Sequence, residues 1–77
     1  MTIQEFKNII ENENQIVVQD DNKDVYVIDL NKKEVLAWVS GSATEYFTIY
    51  SGLSDRKSWG AINDFSETLT NERGLSR

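Results

Sequence analysis

The chain contains no cysteine, no histidine and no proline. Without cysteine there can be no disulfide, and without cysteine or histidine a zinc site is not expected. The missing histidine removes the commonest general base, and Cys-His and Ser-His-Asp arrangements are excluded with it. Lys57 and Ser58 are neighbours, but adjacent residues on a helix point in different directions and make a poor nucleophile–base pair. With only 4 glycines, there is no glycine-rich phosphate loop; Gly41-Ser42 and Ser51-Gly52 read as turn dipeptides. No apolar run approaches the roughly 20 residues that span a bilayer. Met1-Thr2-Ile3-Gln4-Glu5-Phe6 has neither the basic start nor the apolar stretch of a signal peptide, so a cytoplasmic location is expected. No linker, repeat or low-complexity stretch interrupts the chain.

What remains describes one small folded domain, residues 1–77, standing on a single apolar core or on association with another chain. Acidic residues number 13 against 8 basic ones, a net charge of -5. Lys32-Lys33 and Arg56-Lys57 are the only adjacent basic pairs, and each is flanked by an acid. Phosphate backbones are held by clustered Lys and Arg, so no nucleic-acid partner is expected, and no membrane partner either. The acidic surface serves solubility or meets a basic protein.

Residues 2–12 read as a helix. Thr2 and Glu5 have capping-box spacing, and Ile3, Phe6, Ile9 and Ile10 form one apolar stripe. Four strands follow: Ile16–Val18, Val25–Leu30, Glu34–Ser40 and Glu45–Tyr50. Their short connections require antiparallel hairpins. Asp20-Asp21-Asn22-Lys23-Asp24 reads as a hairpin turn; it lacks the spaced ligands, central glycine and terminal glutamate of a calcium loop. A final helix is expected from Ser54 or Asp55 to Arg73, with Trp59, Ile62, Phe65, Ser66 and Leu69 as its stripe. Gly74 closes it, and a frayed tail is expected within 72–77. The fold class is α+β: an N-terminal helix, an antiparallel three- to four-stranded meander and a C-terminal helix, with both helices on one face of the sheet.

Strict alternation divides the sheet residues between two faces. Tyr26, Ile28, Leu30, Leu36, Trp38, Phe47 and Ile49 form the bulkier set, expected beneath the helices, and Trp38, Phe47, Trp59 and Phe65 read as core. Val25, Val27, Asp29, Val35, Ala37, Val39, Tyr46, Thr48 and Tyr50 form a lighter face. It is either ordinary scattered apolar surface or a contact face for self-association or a protein partner. In the second case Val25, Val27, Val35, Val39, Tyr46 and Tyr50 carry it, the tyrosines suiting an interface centre. No catalytic residue, metal ligand or cofactor is expected.

Glu5-Phe6-Lys7-Asn8-Ile9-Ile10-Glu11 resembles the acidic opening helix of small uncharacterised proteins encoded by phages and prophages of Gram-positive bacteria. Thr68-Leu69-Thr70-Asn71-Glu72-Arg73 is similar to their closing motif, keeping the threonine, one glutamate and the arginine but not its proline. The resemblance covers the layout of the chain and the residues of its two ends. It implies a phage accessory protein and assigns no activity or site residues. The expected function is therefore non-enzymatic protein binding. The alternative is an acidic inhibitor, or nucleic-acid mimic, acting on a basic host nuclease-type enzyme.

Overall fold

Ile3–Ile10 is helical (α1) because its first turn is closed by a reciprocal cap. The Thr2 hydroxyl accepts from the Glu5 N–H, while the Glu5 carboxylate accepts from the Thr2 N–H at 2.8 Å. The Thr2 N–H, and beside it the Thr2 hydroxyl, favour the ionised carboxylate and hold the Glu5 pKa below its usual value. The helix ends where Glu11 turns to extended backbone. Asn12 then caps the Asn14 and Gln15 N–H groups, which starts the first strand. The computed structural model describes residues 1–53 and 55–75.

Four strands follow, Gln15–Gln19 (β1), Val25–Asp29 (β2), Glu34–Val39 (β3) and Phe47–Ile49 (β4). They form one antiparallel sheet in the order β1-β2-β3-β4. Asp20 builds the first hairpin turn: one carboxylate oxygen accepts from the Asn22 and Asp24 N–H groups at 2.9 and 3.0 Å. Asp29 does the same for Asn31 and Lys32 in the second. Each of the three hairpins holds one non-glycine residue at positive φ: Lys23, Lys33 and Glu45.

A bulge in β3 decides which residues face the core. Val27 pairs with Ala37 but Ile28 pairs with Val35, so Leu36 is an extra residue on β3. Leu36 and Ala37 are therefore both buried, while Val35 shares the opposite face with Ile28. The inner rows run Val17–Val27–Ala37–Ile49 and Gln19–Val25–Val39–Phe47.

The second helix, Arg56–Glu67 (α2), starts at Asp55, whose side chain accepts from the Lys57 N–H. Ser54, the other expected cap, lies outside the described residues. Phe6 of α1 stacks on Phe65 of α2 with ring centroids 4.5 Å apart. Both helices lie on the inner face, where Phe6, Ile10, Ala61, Ile62 and Phe65 join Val17, Val25, Val27, Leu36, Ala37, Val39 and Leu53 in one core.

The helices thus cover the face expected to be the lighter, reversing the expected assignment. Val25, Val27 and Val39 are each only 1% exposed. Compact β-branched residues let the helices approach the sheet closely, while the larger Tyr26 and Trp38 point the other way. Fourth-strand alternation was also assigned out of phase: Phe47 and Ile49 share the face of Val25 and Val27. Trp59 and Leu69, expected on the buried stripe of the last helix, are exposed, whereas Ile62, Phe65 and Ser66 of that stripe are buried.

Nor does the last helix continue to Arg73. It stops at Glu67, and a 3-10 turn at Thr70–Glu72 follows. Arg73, expected near a frayed tail, has no exposed surface. Its guanidinium donates to the carbonyls of Ser40 (2.6 Å), Ser66 (2.9 Å) and Thr68 (3.0 Å) and lies 5.0 Å from the Phe65 ring centre. An uninterrupted helix would offer the Ser66 and Thr68 carbonyls to residues 70 and 72 instead. Burial lowers the Arg73 pKa from its usual value. The Arg73 carbonyl accepts from Ile3 N–H, and the Met1 ammonium donates to the Thr68 hydroxyl, so residues 1–3 meet residues 68–73 here. Gly74 does adopt the expected left-handed conformation, at φ 72°. Leu75 packs against the core; Ser76 and Arg77 lie outside the described residues.

Candidate interaction face

The outer face of the sheet is built from two cross-strand rows. One is Val18–Tyr26–Trp38–Thr48, crossing all four strands; the other is Ile16–Ile28–Val35. Tyr46, opposite Ser40, lies diagonally beside the first row, its ring edge-on to Trp38 at 5.7 Å. Tyr50 falls on the same side by alternation with Thr48. No described element packs over these rows: Val18 is 37% exposed, Val35 42%, Tyr50 47% and Tyr46 62%.

The polar ends of the two central aromatics are already engaged. The Tyr26 hydroxyl donates to Asp20 Oδ2 at 3.0 Å, and Trp38 Nε1 donates to Asp24 Oδ2 at 3.2 Å. The Asp20 bond favours the neutral phenol and raises the Tyr26 pKa, with partial desolvation and the nearby acids adding to it. The rings therefore present mainly hydrocarbon, in well-defined orientations. The other Asp24 oxygen accepts from Gly41 N–H at 2.7 Å. This contact joins the first hairpin turn to the end of β3. It needs glycine, because a Cβ on residue 41 would fall 2.3 Å from the Lys23 carbonyl.

Of the six residues expected to carry a contact face, Val35, Tyr46 and Tyr50 lie on this outer surface. Val25, Val27 and Val39 are corrected to the core. Alternation assigned Tyr26, Ile28 and Trp38 to the buried set, whereas the structure joins them with Val18 on the outer face. Apart from Thr48, the residues of the face are apolar or aromatic and stand out in the sequence, but their grouping depends on the bulge and on the side the helices take.

The remaining chemical candidates have structural roles. The Ser58 hydroxyl, beside Lys57, donates to Asp55 at 2.9 Å within the helix cap. Asp20 and Asp24 spend their carboxylates on backbone N–H groups, Tyr26 and Trp38. Among the described residues no group of three His, Cys, Asp or Glu is placed to hold a metal ion, and no helix is long and apolar enough to cross a membrane. Comparisons with protein-family models, with curated proteins and with solved structures find no match to this chain.

Proposed function

We propose that this chain is a non-enzymatic protein-binding module that offers the outer face of its sheet to an apolar patch on another protein. The carrying observation is a continuous row of Val18, Tyr26, Trp38 and Thr48, flanked by Ile28, Val35, Tyr46 and Tyr50, with no element of the described residues above it. Open antiparallel sheets usually alternate apolar-in with polar-out, and this one departs from that pattern on its solvent side. Tyrosine and tryptophan are the residues that most often anchor protein contacts. Their prior engagement by Asp20 and Asp24 lowers the entropy lost on binding.

The resemblance at residues 5–11 and 68–73 supports a phage or prophage accessory factor acting in the bacterial cytoplasm as the setting. The acidic-mimic reading draws less support, because Asp20 and Asp24 are turned to internal partners rather than displayed as a charge array.

The test is differential capture from a bacterial lysate, quantified by mass spectrometry. Wild type is compared with Val35→Lys and Tyr46→Glu, and with Glu67→Lys at an exposed helix position as control. Proteins retained by wild type and the control but lost with both face variants are the expected result. A retained set identical for all four proteins sinks the reading.

A further inference from the structure

The two edges of the sheet are treated differently. At the β1 edge, Glu11 Oε2 accepts the outward N–H of Val17 at 3.0 Å. Gln15 is occupied by Asn12, which receives its N–H and donates to its carbonyl. Side chains from the end of α1 thus cover that edge, a common protection against strand addition.

The β4 edge has no such cover among the described residues. Ser40 N–H donates to the Tyr46 carbonyl, and Tyr50 N–H to the Leu36 carbonyl. In an antiparallel ladder this phase turns the backbone groups of Tyr46, Thr48 and Tyr50 toward β3. It turns those of Phe47 and Ile49 outward. No described strand lies beyond β4 to receive them. The stretch Tyr46-Phe47-Thr48-Ile49-Tyr50, with Tyr46, Thr48 and Tyr50 exposed and Phe47 and Ile49 half-buried, is uncharged and composed of strand-favouring residues. Edge strands normally carry a charge or proline to discourage pairing.

The stretch is also symmetric in character about Thr48, which points to one occupant. We propose that the β4 edge pairs antiparallel with β4 of a second copy of this chain, on a two-fold axis through Thr48, giving one continuous eight-stranded sheet. In that register Phe47 faces Ile49 of the second copy as a hydrogen-bonded pair, and Ile49 faces its Phe47 in the same way. The four outward backbone groups of each copy are satisfied by four bonds across the axis. Tyr46 meets Tyr50, Phe47 meets Ile49, and Thr48 meets Thr48. Aromatic–aromatic, aromatic–β-branched and Thr–Thr pairs are the combinations that stabilise neighbouring strands. The absence of charge matters, because a net charge of -5 opposes self-association elsewhere on the surface. The pairing uses the edge and leaves the outer face open, so it stands independently of the partner-binding proposal. It also joins the Val18–Tyr26–Trp38–Thr48 rows of two copies into one surface.

Size-exclusion chromatography with light scattering from about 1 μM to about 1 mM tests the pairing. Twice the chain mass is expected toward the upper end. Thr48→Glu places two carboxylates face to face at the axis and is expected to weaken the dimer about tenfold or more. Thr48→Lys does the same, while an equimolar mixture of the two restores a dimer. Val18→Lys, on the far strand of the same face, leaves the dimer intact. Amide hydrogen exchange on wild type gives a second readout independent of any variant. Protection at Phe47 and Ile49 rises with protein concentration, whereas Thr48, bonded to β3, is protected throughout. A monomer at every concentration, a dimer indifferent to Thr48→Glu, failure of the mixture to re-form, loss of the dimer with Val18→Lys, or concentration-independent exchange at Phe47 and Ile49 each overturns the proposal.

Discussion

Replacing Arg73 with methionine removes a charge buried without a carboxylate among its hydrogen-bond partners. Three carbonyls, on Ser40, Ser66 and Thr68, lose their donor. A hydrogen bond from a charged group contributes about 1.5–3 kcal/mol, so simple addition gives about 4.5–9 kcal/mol. That sum is an upper bound, because the unfolded chain regains hydration of the guanidinium while methionine has no charge to desolvate. Methionine also keeps most of the packing against Phe65, so a cost near 3 kcal/mol is expected. Domains carry about 0.05–0.15 kcal/mol of stability per residue, or about 4–12 kcal/mol for 77 residues, so the loss is a large share. Arg73→Lys keeps the charge, but one ammonium cannot reproduce the planar fork, and it should fall between wild type and methionine. Urea unfolding followed by tryptophan fluorescence, at one fixed protein concentration, measures this. With a slope of about 1 kcal/mol per molar, the midpoint of Arg73→Met should drop by about 3 M. A methionine variant as stable as wild type, or more so, would mean that desolvation outweighs the three bonds.

Further outcomes follow from the same structure. Gly41→Ala forces a methyl against the Lys23 carbonyl and loosens the Asp24 bond, and should cost about 1–3 kcal/mol by urea unfolding, with Ser42→Ala nearer to neutral. Val27→Lys should abolish the cooperative transition by burying an ammonium in the core, while Val35→Lys should stay within about 0.5 kcal/mol of wild type; equal effects would contradict the assignment of faces. Tyr26 should ionise above the ordinary tyrosine value, seen as a tyrosinate absorbance step that is absent in Tyr26→Phe. A raised folded-state pKa adds stability that is fully present below the ordinary value near 10 and lost as pH climbs through the raised one. Wild type should therefore lose its advantage over Tyr26→Phe in alkaline solution; an advantage constant to the highest pH would contradict the Asp20 bond.

Local chemistry was legible in the linear sequence. The Thr2–Glu5 cap, the turn aspartates, the order of helix and four strands, and the left-handed Gly74 all depend on residues close together in the chain, whose preferences hold whatever the rest of the fold does. The end of α2 was not legible, because the helix stops where Arg73 takes carbonyls that the next turn would have used, and one of its partners, Ser40, is 33 residues away. The face of the sheet was not legible either. Alternation labels two sets of residues, and choosing the set that the helices cover requires knowing that small β-branched side chains pack beneath them. A single extra residue at Leu36 then shifts Val35 out of phase with Ala37 and Val39, and no composition signal marks it. Residue order and periodicity were enough for an α+β chain with a three- to four-stranded antiparallel meander and apolar residues for more than one surface. Which of those residues became core, and which stayed outside as a face and an open edge, was decided by tertiary packing, because burial depends on the far partner of each side chain and not on its neighbours in the chain.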